Sequence, residues 1–377
     1  MSVASDSIDA TSLFDHFWDL EDPRVNRGNN HPLFELMVMS VVSAACGANH
    51  WTDVERFVHS KLEWFSKYLS MEHGVPSHDT FGRVFSRLDT KQFLTCLQNW
   101  IQSLRLDMSG QAVAIDGKTL RHSFDNATGV GALHVVNAWA SGLRFCLGQV
   151  AVSDKSNEIP AVPKLLELLD LQGVVVTLDA MHCQADTAEA IQEQEADYVL
   201  SVKRNQPTLF NTLDELFLKG EVTIRRHTTR ETGHHREEVR EYAVATVPEH
   251  LKSKWKGVQS VGMVFRTVTN RATGKTTEEL QYFISSLPPK VRILAKYVRG
   301  HWSVENSLHW TLDVTFAEDH SRIRKGNGPE IASIFRRLAL TLLQQDQTIN
   351  DNIRGKRLKA GWDNEILDKL FRGFFKN

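Results

Sequence analysis

The stretch Tyr297–Asp319, YVRGHWSVENSLHWTLDVTFAED, constrains this chain more than any other. Val298, Trp302, Leu308, Leu312 and Phe316 recur at steps of four, six, four and four, which predicts a helix with one apolar stripe. His301, Glu305 and His309 stand at i, i+4 and i+8, so they project from a neighbouring face. A carboxylate beside a buried stripe is costly unless it is paired or meets a metal ion. The plainer alternative is a half-exposed Glu between two surface His. Other acidic positions have to decide between the two.

The chain has 377 residues, enough for two or three domains. A hydrophobic content of 41% and a charged content of 24% are those of a soluble globular protein. The polar, acidic start MSVASDSIDA predicts no export signal. The apolar run from Leu33 to Cys46 is too short to span a bilayer, so no membrane partner and a cytoplasmic location are expected. Cys46, Cys96, Cys146 and Cys183 lie far apart and read as reduced thiols. Net charge is −2, but it is unevenly spread. Residues 1–95 carry 8 Lys+Arg and 13 Asp+Glu, a net of −5; residues 320–377 carry 12 and 6, a net of +6. The basic end suits a phosphate-binding surface, as it would suit a solvated helix face.

Residues 10–105 read as all-helical. Pro32 opens an apolar helix that ends near Gly47. Thr52-x-x-Glu55 has the form of a capping box. A short helix with Arg83 and Arg87 one turn apart follows the turn at Pro76, and Thr90 is expected to cap the last helix. Such a domain serves either as a helix-turn-helix DNA reader or as a packing module. At Gln111 the periodicity changes. The order becomes three strands, a helix over 156–171, a strand ending in Asp179, a helix, and a strand over 197–206. This predicts a mixed α/β sheet with some parallel pairing. Residues 207–290 read as a β-rich insertion, and helices close the chain around a basic linker at 354–362. The expected divisions are 1–108, 109–345 with the insertion, and 346–377.

Asp116 and Asp179 each stand at the carboxyl end of a predicted strand, where open α/β sheets place their sites. If these strands are neighbours, Glu305 from a covering helix completes a cage of three carboxylates, suited to hard cations such as Mg²⁺. Two ions about 3.5–4 Å apart can clamp both oxygens of a phosphodiester exchange. Strand-end turn acids are the plain alternative for each Asp.

The segments GVPSHDTFGRVFSRLD, AIDGKTLRHS, DKSNEIPAVPKLLELLDL, VTLDAMHCQ, DYVLSVKRNQ and HWSVENSLHWTLDVTFAEDHSRIR resemble the H-repeat-associated DDE transposases of bacterial insertion sequences and Rhs elements. The resemblance runs from about residue 10 to the end. It implies a ribonuclease-H-like core with a β-rich insertion before the Glu helix. It also implies catalytic, metal-holding Asp116, Asp179 and Glu305, with Mg²⁺ or Mn²⁺ as a pair of ions. The implied partner is double-stranded DNA, both element ends and target, with a homodimer as a possible form of the DNA complex. The implied chemistry is strand cleavage by water, then attack of the freed 3′-hydroxyl on target DNA. Related enzymes carry a Tyr, an Arg and a Lys around the Glu. Tyr297 and Arg299 are present at a different spacing, and Leu312 and Asp313 stand where the Lys would fall.

Lys118 and Lys203 are further candidates for DNA phosphate, solvated lysines being the plain alternative. Arg354, Lys356, Arg357 and Lys359 in the basic tail are expected on the same surface. His301 and His309 are expected at the rim of the cage, bonding acids or phosphate and protonating near about pH 6.5. Trp302 and Trp310 suit base stacking, although the stripe favours core packing for Trp302. Two competing readings remain: a zinc hydrolase built on His301, Glu305 and His309, and a degenerate transposase that only binds DNA.

Overall fold

The N-terminal helices form where apolar spacing and capping chemistry put them. The computed structural model describes residues 13, 15–25, 29–104, 106–152, 158–220, 222–233 and 235–371. Residues 154–157 of the DKSNEI stretch and residues 372–377 of the expected last helix lie outside these. Helix α1 spans Leu33–Ala45, with Pro32 at its start and Gly47 in the left-handed region just beyond (φ 112°). Helix α2 spans Trp51–Ser60, two residues earlier than the expected box allows. Its cap is formed by His50, whose backbone N–H donates to Asp53 Oδ2 at 3.1 Å. Glu55 instead accepts from the backbone N–H of His78 at 3.0 Å, tying α2 to helix α3, His78–Phe85. Helix α4, Thr90–Ser103, is capped by Asp89 rather than Thr90, because that carboxylate accepts from the N–H groups of both Lys91 and Gln92.

Nine strands form one sheet: β1 Ala112–Thr119, β2 His134–Ala140, β3 Phe145–Val152, β4 Val175–Leu178, β5 Asp197–Val202, β6 Arg225–Gly233, β7 Arg236–Thr246, β8 Ser260–Asn270 and β9 Thr276–Ser285. Their spatial order is β3-β2-β1-β4-β5-β9-β8-β7-β6. The β1–β4 and β4–β5 pairs are parallel and the rest antiparallel. The β-rich stretch therefore extends the first five strands, with β9 laid against β5 from Val199↔Ser285 to Val202↔Tyr282.

Helices cover both faces. Helix α5, Glu158–Glu167, packs on β2 and β3, and α6, Ala185–Glu193, on β5. Helix α7, Pro207–Lys219, replaces the start of the expected β-rich stretch. Its signals are ordinary ones, Pro at the first turn, Leu209 and Leu213 buried on one side, and Gly220 left-handed at the end. Helix α8, Val291–His301, lies on the opposite face over β1, β4 and β5. Helix α9, Gly328–Gln345, packs on α1 and β3. One hydrophobic core runs from the N-terminal helices through the sheet to the C-terminus. Trp100 packs on Phe145 with ring centres 5.8 Å apart, and Phe85 and Phe93 both meet Phe335 edge-on. No helix among the described residues is long and apolar enough to cross a membrane.

The basic tail departs from its expected role. Residues 354–362 fall in a helix, α10, Ile353–Trp362, capped by Asn352, and α11, Asn364–Phe371, follows. Lys356 is buried, donating to Leu343 O at 3.0 Å and pairing with Asp346 at 3.0 Å. Arg357 is buried too. It donates to Ala44 O and Thr315 O, and its guanidinium lies 4.0 Å from the centre of the Phe316 ring. These two cations hold helix ends together, so they are withdrawn from the expected DNA surface. Lys359 pairs with Asp351 at 2.7 Å, and Arg354 is exposed.

Arg357→Ala should therefore destabilise the fold by about 2–4 kcal/mol, because it strands two buried carbonyls and empties the space over Phe316. Arg354→Ala should cost less than about 0.5 kcal/mol. Urea denaturation of both variants checks this; equal midpoints would show that Arg357 is only a surface charge.

Candidate active site

Two parallel strands bring the first two carboxylates together. The last paired residues of β1 and β4 are Ile115 and Leu178, so Asp116, within β1, and Asp179, just past the end of β4, follow where this parallel pairing stops. From there β1 continues only against β2, with Asp116 opposite Asn137. Asp179 caps a short 3₁₀ turn, Ala180–His182, by accepting from Met181 and His182 N–H groups at 3.1 and 3.4 Å. Its carboxylate is thus aimed by the turn that ends β4.

The third carboxylate comes from a broken helix. The continuous helix expected over 297–319 is not formed. After α8 ends at His301 the chain makes a π-helical turn, Glu305–His309, and then a short α-turn, Trp310–Val314. A π turn takes more residues per revolution than an α turn, so it rotates the faces that follow it. Val304, Leu308, Leu312 and Phe316 point into the core, while Glu305 is exposed. Trp302 is 39% exposed and Trp310 58%, so Trp302 does not join the core as its spacing suggested.

The electrostatics couple the three acids. The Asp116 carboxyl is pushed up to about 7, first by burial and then by the negative charges of Asp179 and Glu305. Oxygen donors under mutual repulsion fit a hard divalent cation, which would neutralise them. Among the described residues, no three His, Cys, Asp or Glu side chains are gathered as a metal site.

The histidines do not stand where the spacing suggested. His301 is buried by α8 and hydrogen-bonds Thr177 Oγ1 on β4 at 3.1 Å; burial lowers its pKa to about 4. His309 is buried with Nδ1 3.5 Å from Asp116 Oδ2, and burial, with Arg337 and Lys118 nearby, lowers its pKa to about 3. Both therefore stay neutral at pH 6.5, contrary to the expected protonation. Among the described residues no set of His and Glu side chains is gathered as a metal site, so nothing supports the zinc-hydrolase reading.

The other candidates are mostly held by the protein itself. Lys118 is buried, bonded to Asp313 at 2.5 Å and Asp319 at 3.4 Å. Tyr297 is buried, its hydroxyl donating to Gly110 O at 2.9 Å. Gly110 lies six residues before Asp116, about 20 Å along a strand, so Tyr297 sits at the far end of β1. Arg299 pairs with Glu231 of β6 at 3.0 Å. Lys203 is exposed beyond β5.

Sequence reasoning missed a buried cluster beneath the two Asp residues. The Glu158 carboxylate lies 2.9 Å from His134 Nε2 and 3.0 Å from His182 Nε2. Burial alone would raise its pKa, but the two His hold it down to about 2. His134 is braced in turn by Thr119 Oγ1 at 2.8 Å. A Cβ on Gly117 would come closer than 3.0 Å to Glu158 Oε1 and His134 Nε2, so only glycine leaves room for this cluster beside Asp116. The Glu in the DKSNEI stretch was the available signal, but nothing in its periodicity pairs it with two distant His.

This arrangement of strand-end and helix carboxylates is accompanied by clear likeness to known proteins. The family model described as Transposase DDE domain matches residues 107–342, and a second, described as DDE_Tnp_1-associated, matches residues 14–101. The chain belongs to the DDE transposase family. It is 36% identical over 369 residues to the H repeat-associated putative transposase YhhI of Escherichia coli K12, covering 96% of this chain and 98% of that one. It is 38% identical over 373 residues to the putative transposase YncI of Escherichia coli O157:H7, covering 95% and 94%.

Two outcomes follow. The folded chain holds the Asp116 proton more tightly than the unfolded chain, whose carboxyl titrates near about 3.9. That contribution favours the fold below about pH 4 and is lost as pH rises through 7. Metal-free Asp116→Asn should therefore be more stable than the parent at pH 8 by about 1 kcal/mol or more, with a smaller advantage at pH 5. A pH-independent difference would show that the three acids are not coupled. Gly117→Ala should lower stability by about 1–3 kcal/mol through overpacking against Glu158. An unchanged melting temperature would refute the crowding.

Proposed function

We propose that this protein is an active transposase that binds element-end DNA and catalyses metal-dependent strand cleavage and strand transfer. The observation that carries the reading is the β1–β4 register, which sets Asp116 beside Asp179 at the ends of two parallel strands. The strand order β3-β2-β1-β4-β5, with three antiparallel strands followed by two parallel ones, supports a ribonuclease-H-like core. The division at 1–108, 109–345 and 346–377 is kept as a functional one, since packing is continuous across it.

Asp116, Asp179 and Glu305 would hold Mg²⁺ or Mn²⁺, which when bound supplies charge neutralisation at the phosphodiester. The chain's own residues do the rest. Burial on β1 and the 3₁₀ turn after β4 fix the two Asp carboxylates. Exposed Glu305 faces solvent on a π turn, a feature often found at functional sites. Neutral His309 beside Asp116 Oδ2 adds no positive charge that would compete with a cation. Relatives bearing the name transposase support a DNA substrate.

The test is cleavage of a supercoiled plasmid and of a duplex bearing the terminal repeats, with Mg²⁺ or Mn²⁺. Asp116→Asn and Glu305→Gln should each lower cleavage at least about 100-fold with folding and DNA binding retained. Unaltered cleavage in these variants would remove the metal role. DNA binding without cleavage in the parent would favour a transposase that only binds DNA.

A further inference from the structure

Several exposed cations gather outside helices α10 and α11. A cleft of about 540 Å³ opens between α3 and the segment 322–328 that follows the Glu-bearing stretch. Arg83 and Arg87 line one wall, and Arg322, Arg324 and Lys325 the other. Arg83, Arg87, Arg322 and Lys325 are exposed, and none makes an ion pair with any described residue. Lys118, Arg337 and Lys356, by contrast, are all paired with carboxylates. The acidic side chain at the cleft is Asp79, which lies 3.7 Å from His78 and is itself mostly solvated. Like charges gathered from residues some 240 apart repel one another, and a bound polyanion would offset that repulsion.

The cleft is built rather than incidental. Gly326 is left-handed (φ 52°), and a Cβ there would run into Ser86 O. Asn327 donates to Ser86 O through its backbone N–H at 3.0 Å and to Leu88 O through its side chain at 2.8 Å. Buried Arg336 donates to both Asn49 O and Ser321 Oγ, fixing the loop before α2 against the other wall. The second wall also reaches the candidate active site. Arg324 Nε donates to His122 O at 2.9 Å, and Asp319 bonds both the His122 ring and Lys118, two residues past Asp116.

We infer that this cleft binds the phosphate backbone of duplex DNA and leads it toward Asp116 and Asp179; the inference rests on the transposase reading above. Arg guanidinium groups suit phosphate because they donate in a fixed fork. The Trp51 ring at the cleft is packed on Phe85, with ring centres 5.1 Å apart. Recognition there is by charge, independent of sequence.

The test uses the full chain and a fluorescein-labelled DNA duplex of mixed sequence, titrated between roughly 50 and 200 mM salt. The triple variant Arg83→Gln, Arg87→Gln, Arg322→Gln should lose about tenfold in affinity or more, and its salt slope should fall by about 2–3, near 0.9 for each phosphate contact. A charge-matched triple variant at exposed lysines outside the cleft, Lys67→Gln, Lys275→Gln, Lys369→Gln, should leave both unchanged. Circular dichroism checks folding, and Lys325→Gln alone should lower the slope by about 1 if the triple variant is unstable. An unchanged slope in the cleft variants, or an equal loss in the charge-matched variant, overturns the inference. Metal-dependent cleavage by the parent together with unaltered binding by the cleft variants sinks the cleft alone. A parent that binds no duplex sinks the transposase reading and the cleft with it.

Discussion

A buried ion pair holds the site end of the molecule together. Glu318 is completely enclosed; burial would raise its pKa, but Arg337 and Arg336 hold it below the usual carboxylate range. Arg337 bonds Glu318 at 2.8 Å and Asn137 on β2 at 2.6 Å. A single guanidinium thus joins α9, the end of the Glu-bearing stretch and the strand beside β1. Breaking such a pair leaves an uncompensated charge in the interior, which is why its geometry tolerates little change. Asn137 stands directly opposite Asp116, so the position of the first site carboxylate depends on this pair.

The site above it is arranged in the opposite electrical sense. The Asp116 carboxyl is raised by burial first and then by the negative charges of Asp179 and Glu305. Beneath them, Glu158 lies within 3.0 Å of both His134 and His182. Beside them, Lys118 is spent on Asp313 and Asp319. The protein satisfies the acids around the three carboxylates and leaves those three without a protein cation.

The π turn is what lets one stretch serve both core and site. A continuous α-helix from α8 onward would have kept His301, Glu305 and His309 on one face. The wider turn sends Leu308 and Leu312 into the core, buries His309 and leaves Glu305 facing solvent. His309 then meets Asp116, while His301 serves as a strut to Thr177 on β4.

Strand ends, apolar stripes and the identity of the acids were legible in the sequence, because they follow from local periodicity and from residue chemistry. Asp116 and Asp179 could be read as strand-end carboxylates, and the long motifs around them named the family. The paired register of β1 and β4, the π turn and the Glu158 cluster were not legible. They join residues between about 20 and 190 positions apart, or depend on hydrogen bonding that no single-residue pattern encodes. Net charge was only a partial guide for the same reason, since Arg322, Arg324 and Lys325 of the basic end do line the cleft. The +6 of residues 320–377 includes Arg336, Arg337, Lys356 and Arg357, all buried, and composition cannot tell a cation spent inside from one offered outside. The sequence by itself determined which groups were available and on which elements they rode. Only tertiary packing decided which charges were cancelled in the interior and which were left free for a partner, because burial and pairing are properties of neighbours in space.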